Sequence, residues 1–290
     1  MTQKNNHIDL TAVDRQSKAF FSGGTFVWER SDAEIWANIG TLIDNRPKSR
    51  VIHLNFTLAK WVAAAVIVLF MGLGSFMRLY TAGVEAPAGQ HLEAMLPDGS
   101  QVNLNAESSI SYHPYWWKIN RKVKLEGEAF FQVQKGKKFT VASAKGTTQV
   151  LGTSFNIFAR EDIYKVTCLT GMVKITSKQG FEAVIKPNSK AEIGPTGQIN
   201  IQTNIETFPE ISWKKNIFIF TATPVDQVFK EIERQYDVNI QAQAEAGIRY
   251  TGNFSKDRNV EDILNYVCPA LGLKYVRKAN GSYFIIPENE

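Results

Sequence analysis

Four histidines, His7, His53, His91 and His113, are the residues most able to move a proton or ligate a metal near neutral pH. They are scattered, and no His-x-x-x-His pair or Cys/His cluster gives them metal-ligand spacing. Two carboxylate features come next. Glu126 and Glu128 stand two apart, hence on the same face of a strand, as paired acids would be; one exposed and one turn-capping glutamate is the simpler reading. Asp98, within Leu96-Pro97-Asp98-Gly99-Ser100, could act as a lone carboxylate, yet an aspartate before glycine in a turn usually bonds its own backbone. No Gly-x-Ser-x-Gly elbow, phosphate-binding glycine loop or dinucleotide fingerprint occurs. Cys168 and Cys268 are the only cysteines, and their apolar strand and helix settings favour buried thiols over a bridge. Tyr112, Tyr115, Trp116 and Trp117 could line a sugar-sized cleft or simply pack in a core or loop. The chain therefore reads as a non-enzyme without cofactor or metal.

The elements that position these residues are divided by one apolar run. Trp61 to Met77 carries no charge or strongly polar side chain, and Leu58 to Tyr80 would cover roughly 30 Å as a helix, about one hydrocarbon core. Trp61 and Tyr80 sit where interfacial aromatics belong, and Lys60 and Arg78 can snorkel outward. A buried core helix of this length would show a polar stripe. Ala86-Pro87-Ala88 resembles a signal-peptide cleavage site, but a long polar region precedes the apolar run, so a retained single-pass anchor is expected. Arg46, Lys48, Arg50 and Lys60 precede the run, whereas Glu85, Glu93, Asp98 and Glu107 follow Arg78 before the next lysine. The positive-inside bias then places residues 1–57 in the cytoplasm and the chain beyond about 81 outside it.

Composition adds bounds. With 290 residues, 44% of them hydrophobic, the chain can build one or two sizeable domains beside the anchor. A net charge of +5, partly from the cluster before the anchor, leaves no footprint of direct nucleic-acid binding.

In the inner segment, Ser31-Asp32-Ala33-Glu34 forms a capping box. Ile35, Trp36, Ile39, Leu42 and Ile43 then fall on one helical face, and Asn45-Arg46-Pro47 stops the helix. Such a short amphipathic helix cannot bury its apolar face alone. Asp32, Glu34 and Asp44 and the lack of lysine argue against a membrane surface, so a cytoplasmic protein partner is expected.

Beyond the anchor, residues 81–204 alternate short β-type runs with turns, which predicts an all-β domain of sandwich, jelly-roll or β-solenoid type. Ile205 to Trp213 reads as a connector. Residues 205–290 then hold a strand–helix–strand pattern that recurs after 35 residues, with Val225, Val228, Phe229 and Ile232 answered by Val260, Ile263, Leu264 and Val267. Thr223 is expected to cap the first helix, and Pro269 to shorten the second. Two such βαβ units make a small α+β domain with Phe218, Phe220, Val228, Phe229, Ile232, Ile263, Leu264 and Val267 as its core.

Several stretches together resemble the FecR family of transmembrane sigma-factor regulators. They are Leu-Pro-Asp-Gly-Ser-Gln-Val-Asn-Leu-Asn (96–105), Arg-Lys-Val-Lys-Leu-Glu-Gly-Glu-Ala-Phe-Phe-Gln-Val (121–133), Val-Leu-Gly-Thr-Ser-Phe-Asn-Ile (150–157) and Leu-Thr-Gly-Met-Val-Lys-Ile (169–175). Within them Asp98, Gly99, Gly127, Glu128, Gly152, Thr153 and Gly171 carry the motif. After Ile185-Lys186-Pro187, where the family usually has glycine, stands Asn188, which can also turn left-handed. The C-terminal repeat looks like the domain that follows FecR domains and is similar to the secretin and TonB N-terminal (STN) fold, a likeness carried by Trp213, Phe218, Phe220, Pro224 and Tyr236-Asp237-Val238. The resemblance implies an inner-membrane anti-sigma factor whose cytoplasmic segment holds an ECF-type sigma factor through Trp28, Ile35, Trp36, Ile39 and Leu42. It implies a periplasmic part that receives the signalling domain of a TonB-dependent outer-membrane transporter, with release by a membrane protease as a route. A membrane-tethered periplasmic adaptor or a glycan-binding protein, neither with a transcriptional role, is the alternative.

Overall fold

The computed structural model describes residues 14, 15, 17–19, 22, 23, 30–44, 56–242 and 247–288. Residue contacts divide the chain into two units, Met1–Ala63 and Ala64–Glu290.

The first unit holds helix α1, Asp32–Asp44. Ser31 starts it as expected: Glu34 N donates to Ser31 O at 2.9 Å and to Ser31 Oγ at 3.4 Å, satisfying one free amide of the first turn. No residue of α1 is buried. Trp28 and the Asn45-Arg46-Pro47 stop lie outside the described residues.

Helix α2, Phe56–Leu79, contains the apolar run. Its stretch Ala59–Leu79 is long and apolar enough to cross a membrane, and none of it is buried, which separates it from a core helix. Two residues later the chain enters β1 (Ala82–Ala86), whose last residue is fully buried. Cleavage at Ala86-Pro87-Ala88 would strip that strand from its domain.

Thirteen strands build a sandwich. After β1 come β2 (Leu92–Met95), β3 (Gln101–Leu104), β4 (Ser108–Tyr112), β5 (Arg121–Gln132), β6 (Phe139–Ala142) and β7 (Gly146–Val150). There follow β8 (Ser154–Arg160), β9 (Ile163–Thr170), β10 (Val173–Ser177), β11 (Glu182–Ile185), β12 (Ser189–Ile193) and β13 (Ile199–Thr203). One sheet runs β1-β4-β5-β6-β7-β10-β11 and the other β2-β3-β5-β8-β9-β12-β13, so β5 belongs to both. Residues 121–132 form one continuous strand that serves both sheets. Its first half pairs with β4 and β6 and its second half with β3 and β8. The fold turns at Gly127, where φ is +93° and an added Cβ would lie 2.5 Å from Ser108 Oγ and 2.7 Å from Glu107 O. Only glycine fits there. Because the strand doubles back, Val123, Leu125, Ala129 and Phe131 all enter one core, with Leu104, Phe139, Phe155, Ile157 and Tyr164 around them. Of the three β architectures left open by the sequence, the sandwich is the one formed.

A short helix α3 (Phe208–Ile211) and a 3₁₀ turn (Ser212–Lys215) occupy the expected connector. The C-terminal domain follows: β14 (Ile217–Pro224), α4 (Val225–Tyr236), β15 (Ile240–Ala242), β16 (Arg249–Ser255), α5 (Val260–Val267), β17 (Leu273–Arg277) and β18 (Tyr283–Pro287). The repeat is present, but neither unit makes a sheet of its own. The opening strands pair with each other, β14 with β16, while β15 lies parallel to β18 and β18 pairs with β17. Helix α4 is thus covered by strands from both copies, β14 and β15 from its own and β16 from the other. Helix α4 is entered from Pro224, at φ −52° and ψ 134°, with no side-chain cap, so Thr223 does not cap it as expected; Val225 N instead donates to Ile248 O at 3.0 Å. Pro269 ends α5 at Val267 and starts a 3₁₀ turn, as its missing amide requires.

Candidate functional site

Two groups form from the motif residues, at opposite ends of the sandwich. At one end Asp98 takes Ser100 N on Oδ1 at 3.0 Å, the local turn bond expected of it, and pairs with Arg121 on Oδ2. Burial opposes the charge on Asp98, but Ser100 and Arg121 together hold its carboxyl below the ordinary range. Gly99, Gly152 and Gly171 turn with positive φ at the same end of the sandwich. Thr153, buried, donates through Oγ1 to Met172 O at 3.1 Å and would collide with any Cβ on Gly171. These residues shape loops rather than a reaction centre.

Gly127 and Glu128 lie at the other end, against α4. Glu126 is exposed, as expected, but Glu128 caps no turn. It is buried, and its two carboxyl oxygens accept from Asn105 Nδ2 and Asn156 Nδ2, both at 2.8 Å. The strand folds over at Gly127, so residue 128 lies with Phe130 on the outward side of the second sheet, against the C-terminal domain, and not on the outward side of the first sheet with Glu126. From α4, Gln235 Nε2 donates to Asn105 Oδ1 at 2.7 Å and to Glu231 Oε1 at 2.8 Å. His91 Nε2 lies 3.0 Å from Gln235 Oε1, and Arg234 Nη2 donates to Glu231 Oε2 at 2.9 Å. Arg160 donates to Ala106 O at 2.6 Å and Glu107 O at 3.0 Å, closing the seam from the sandwich side.

Charge in this seam is unevenly distributed. Burial, reinforced by the negative charge of Glu231, pushes Glu128 up to about 7, against the pull of Arg160 and the two asparagines. Burial also opposes ionisation of Glu231, but Arg234, Arg160 and Gln235 outweigh it and hold that carboxyl low. Burial holds His91 below its usual value. The two carboxylates are therefore split, one anionic and one titrating near neutrality. A cleft of about 260 Å³ opens beside them, lined by Glu128, Arg160, Trp213, Phe220, Lys230 and Glu231 among others. Two ion pairs cross its rim, Lys190–Glu210 at 2.6 Å and Lys230–Glu161 at 2.9 Å.

An apolar contact continues the seam. Phe130 faces away from the sandwich core and joins Trp213, Phe218, Phe220, Phe229 and Ile232 in the second core. Lys214 Nζ sits 3.7 Å above the Phe130 ring. Phe218, Phe220, Val228, Phe229, Ile232, Ile263, Leu264 and Val267 are all buried in that cluster. Sequence reasoning passed over Asn105, Asn156, Arg160, Glu231 and Gln235. The one local signal was polar residues at i and i+4 beside an apolar stripe, which a solvated helix shows equally well.

Elsewhere the candidates separate. Tyr112 and Trp117 pack edge-on in the sandwich core, while Tyr115 and Trp116 lie at the end of α2, so the four aromatics line no common cleft. Cys168 and Cys268 are free and buried, and burial raises their thiols to about 11 and about 12. Asn188 adopts the left-handed conformation at φ +59°, as read from the sequence. Among the described residues no group of three or more His, Cys, Asp or Glu could hold a metal. Of the sigma-binding candidates, Trp36 and Leu42 are exposed to 71% and 72%, Ile39 is exposed and Ile35 half-buried, all on α1.

A sandwich fused to a small α+β domain through a buried polar seam, with one helix among the described residues long and apolar enough to cross a membrane, defines the architecture. The family follows from comparison: residues 82–174 match the FecR protein family and residues 217–286 match the FecR C-terminal family. The chain belongs to the FecR family. Two crystal structures, each of a candidate anti-sigma factor from Parabacteroides distasonis ATCC 8503, are similar at 25% identity. One, at 2.50 Å resolution, has a TM-score of 0.66 and covers 72% of this chain and 99% of that one. The other, at 1.65 Å, has a TM-score of 0.65 with 71% and 99% covered. Comparison with curated proteins gives no match.

Proposed function

We propose that the protein is an inner-membrane anti-sigma factor that holds an ECF-type sigma factor inside and receives its signal outside. A regulatory anti-sigma role is supported by the FecR family and by the structures it resembles. In this reading residues 1–57 are the cytoplasmic sigma-binding segment, 58–80 cross the membrane, and 81–204 and 205–290 are the periplasmic domains. The observation that carries it is α1: a helix with an apolar face formed by Ile35, Trp36, Ile39 and Leu42, none of it buried, on the short side of the anchor. Such a face is stable in water only when something covers it. The periplasmic body would dock the signalling domain of a TonB-dependent transporter, and proteolytic release of the inner segment would make the bound sigma factor available.

The test is deletion of residues 1–57 with transcription of the neighbouring transporter operon as readout. The expected result is a change in promoter activity together with loss of a sigma factor from the retained complex. Unchanged transcription, with no sigma factor retained by the full chain, would overturn the reading.

A further inference from the structure

The sandwich end next to α2 carries exposed side chains that neither core nor seam uses. Tyr80 and Thr81 alone separate α2 from β1. The loop 113–120 between β4 and β5 lies against the last helical turn. Its Tyr115 ring is 5.3 Å from that of Tyr80 and 6.3 Å from that of Phe76. Arg78 sits over Trp116 at 5.4 Å, and His113 Nδ1 lies 3.0 Å from Tyr80 O. Arg78 is the first charge after the apolar run, so these contacts occur where hydrocarbon gives way to headgroups.

Strand register gathers more loops at this end. The pairs Ala82–Tyr112, Arg121–Phe139, Phe139–Val150 and Val173–Ile185 lie there in one sheet, and Met95–Gln101, Gln132–Ser154 and Ser154–Thr170 in the other. Arg121 joins the two by donating to Gln134 O at 3.0 Å. From these loops project Met95, Tyr115, Ile119, Leu151 and Met172, each 53% to 70% exposed. Beside them stand exposed Lys118, Lys135, Lys137, Lys138 and Lys186. The loops 113–120, 133–138, 151–153, 171–172 and 186–188 contain no Asp or Glu, and neighbouring Asp98 is already paired with Arg121. Among the described residues none of these five lysines has a carboxylate in ion-pair range.

We propose that this end rests on the bilayer crossed by its own anchor, with Tyr115, Trp116 and Ile119 in the interface and the lysines on anionic headgroups. The inference rests on the reading of α2 as a membrane span. Apolar side chains interleaved with lysines are the pattern of a surface that sits at an anionic interface, and each lysine near such a surface favours the docked state about fivefold. The two-residue link leaves little freedom to escape it. The seam and its cleft, at the opposite end, are thereby held away from the lipid and open to a partner.

Spin labels on single introduced cysteines in the full chain, in nanodiscs with and without phosphatidylglycerol, test this. Cys168 and Cys268 are buried and do not compete for label. Labels at Tyr115→Cys and Ile119→Cys should read interfacial depth when phosphatidylglycerol is present, while Asp162→Cys at the far end reads water. Reversing three exposed lysines, K135E, K137E and K138E, removes three attractions and adds three repulsions, so the docked-to-free ratio should fall by about a hundredfold or more. Labels at 115 and 119 as water-exposed as the one at 162, with Phe70→Cys deep in the bilayer, overturn the proposal and leave the anchor standing. A water-exposed label at position 70 overturns both. Immersion that survives the triple reversal overturns the assignment to anionic lipid.

Discussion

Helices α1 and α4 are nearly equal in length, 13 and 12 residues, and both pair an apolar stripe with a charged face. Their fates differ. Helix α4 buries Val225, Val228, Phe229 and Ile232 under strands from both halves of its domain, and even its polar residues Glu231, Arg234 and Gln235 are buried in the seam. Helix α1 buries nothing. Amphipathicity therefore says that a helix has something to cover, and the surrounding chain decides whether it is covered at home. The covered helix is a structural part; in the proposed function the uncovered one is the place for a second protein.

The comparison breaks most readily at Ile232, fully buried on α4. Ile232→Ala should cost about 2–5 kcal/mol, read as a lowered midpoint in chemical unfolding, because its cavity is lined from all sides. If Trp36→Ala on α1 costs as much in the isolated chain, the two helices are not the opposites described.

Next comes the seam. Glu128 titrates near 7 in the folded chain and near the ordinary carboxylate value when unfolded, so the folded state binds the extra proton between these limits. Stability must then fall as pH rises from about 4.5 to about 7, by on the order of 3 kcal/mol for this group alone. His91 acts in the opposite sense, since its lowered value makes protonation cost stability as pH falls. Glu231, held low, loses its contribution only in more acid solution. Glu128→Gln should flatten the decline between pH 4.5 and 7. Its amide has an acceptor available, because Asn156 Oδ1 is buried without a hydrogen bond and the Asn156 amide can rotate. Urea unfolding across this pH range measures the effect, and an unchanged slope would move the titrating proton elsewhere.

Trp36→Ala should leave unfolding of the isolated chain within about 0.5 kcal/mol, yet weaken capture of the sigma factor by about 2 kcal/mol or more, as loss of an aromatic anchor does. Titration calorimetry against the purified sigma factor separates the two. The smallest effect is expected at Ser31→Ala, which removes the side-chain cap of an exposed helix for about 1 kcal/mol, visible in circular dichroism of the segment.

Where local pattern controls structure, the sequence was legible. The capping serine of α1, the apolar span, the left-handed Asn188, the break at Pro269 and the stripes of α4 and α5 each depend on residues a few positions apart. The seam was not legible, because its members are distant: Asn105 meets Gln235 across 130 positions and Glu128 meets Asn156 across 28. Glu128 read as a turn-capping glutamate, but the fold at Gly127 took it off the face of Glu126 and into the seam.

By itself the sequence determined that one helix is long and apolar enough to cross a membrane, that a β-rich body follows, and that a strand–helix–strand pattern recurs. Those properties come from side-chain type at short spacing, where sterics and hydrophobic periodicity act without knowledge of the rest. Only the tertiary structure decided that the repeated units exchange strands, that Phe130 serves the second core instead of the first, and that one of two buried glutamates stays near neutrality. Strand pairing and desolvation are set by whichever distant neighbours fill the opposite side, and a periodic pattern names the face to be covered but not the residues that cover it.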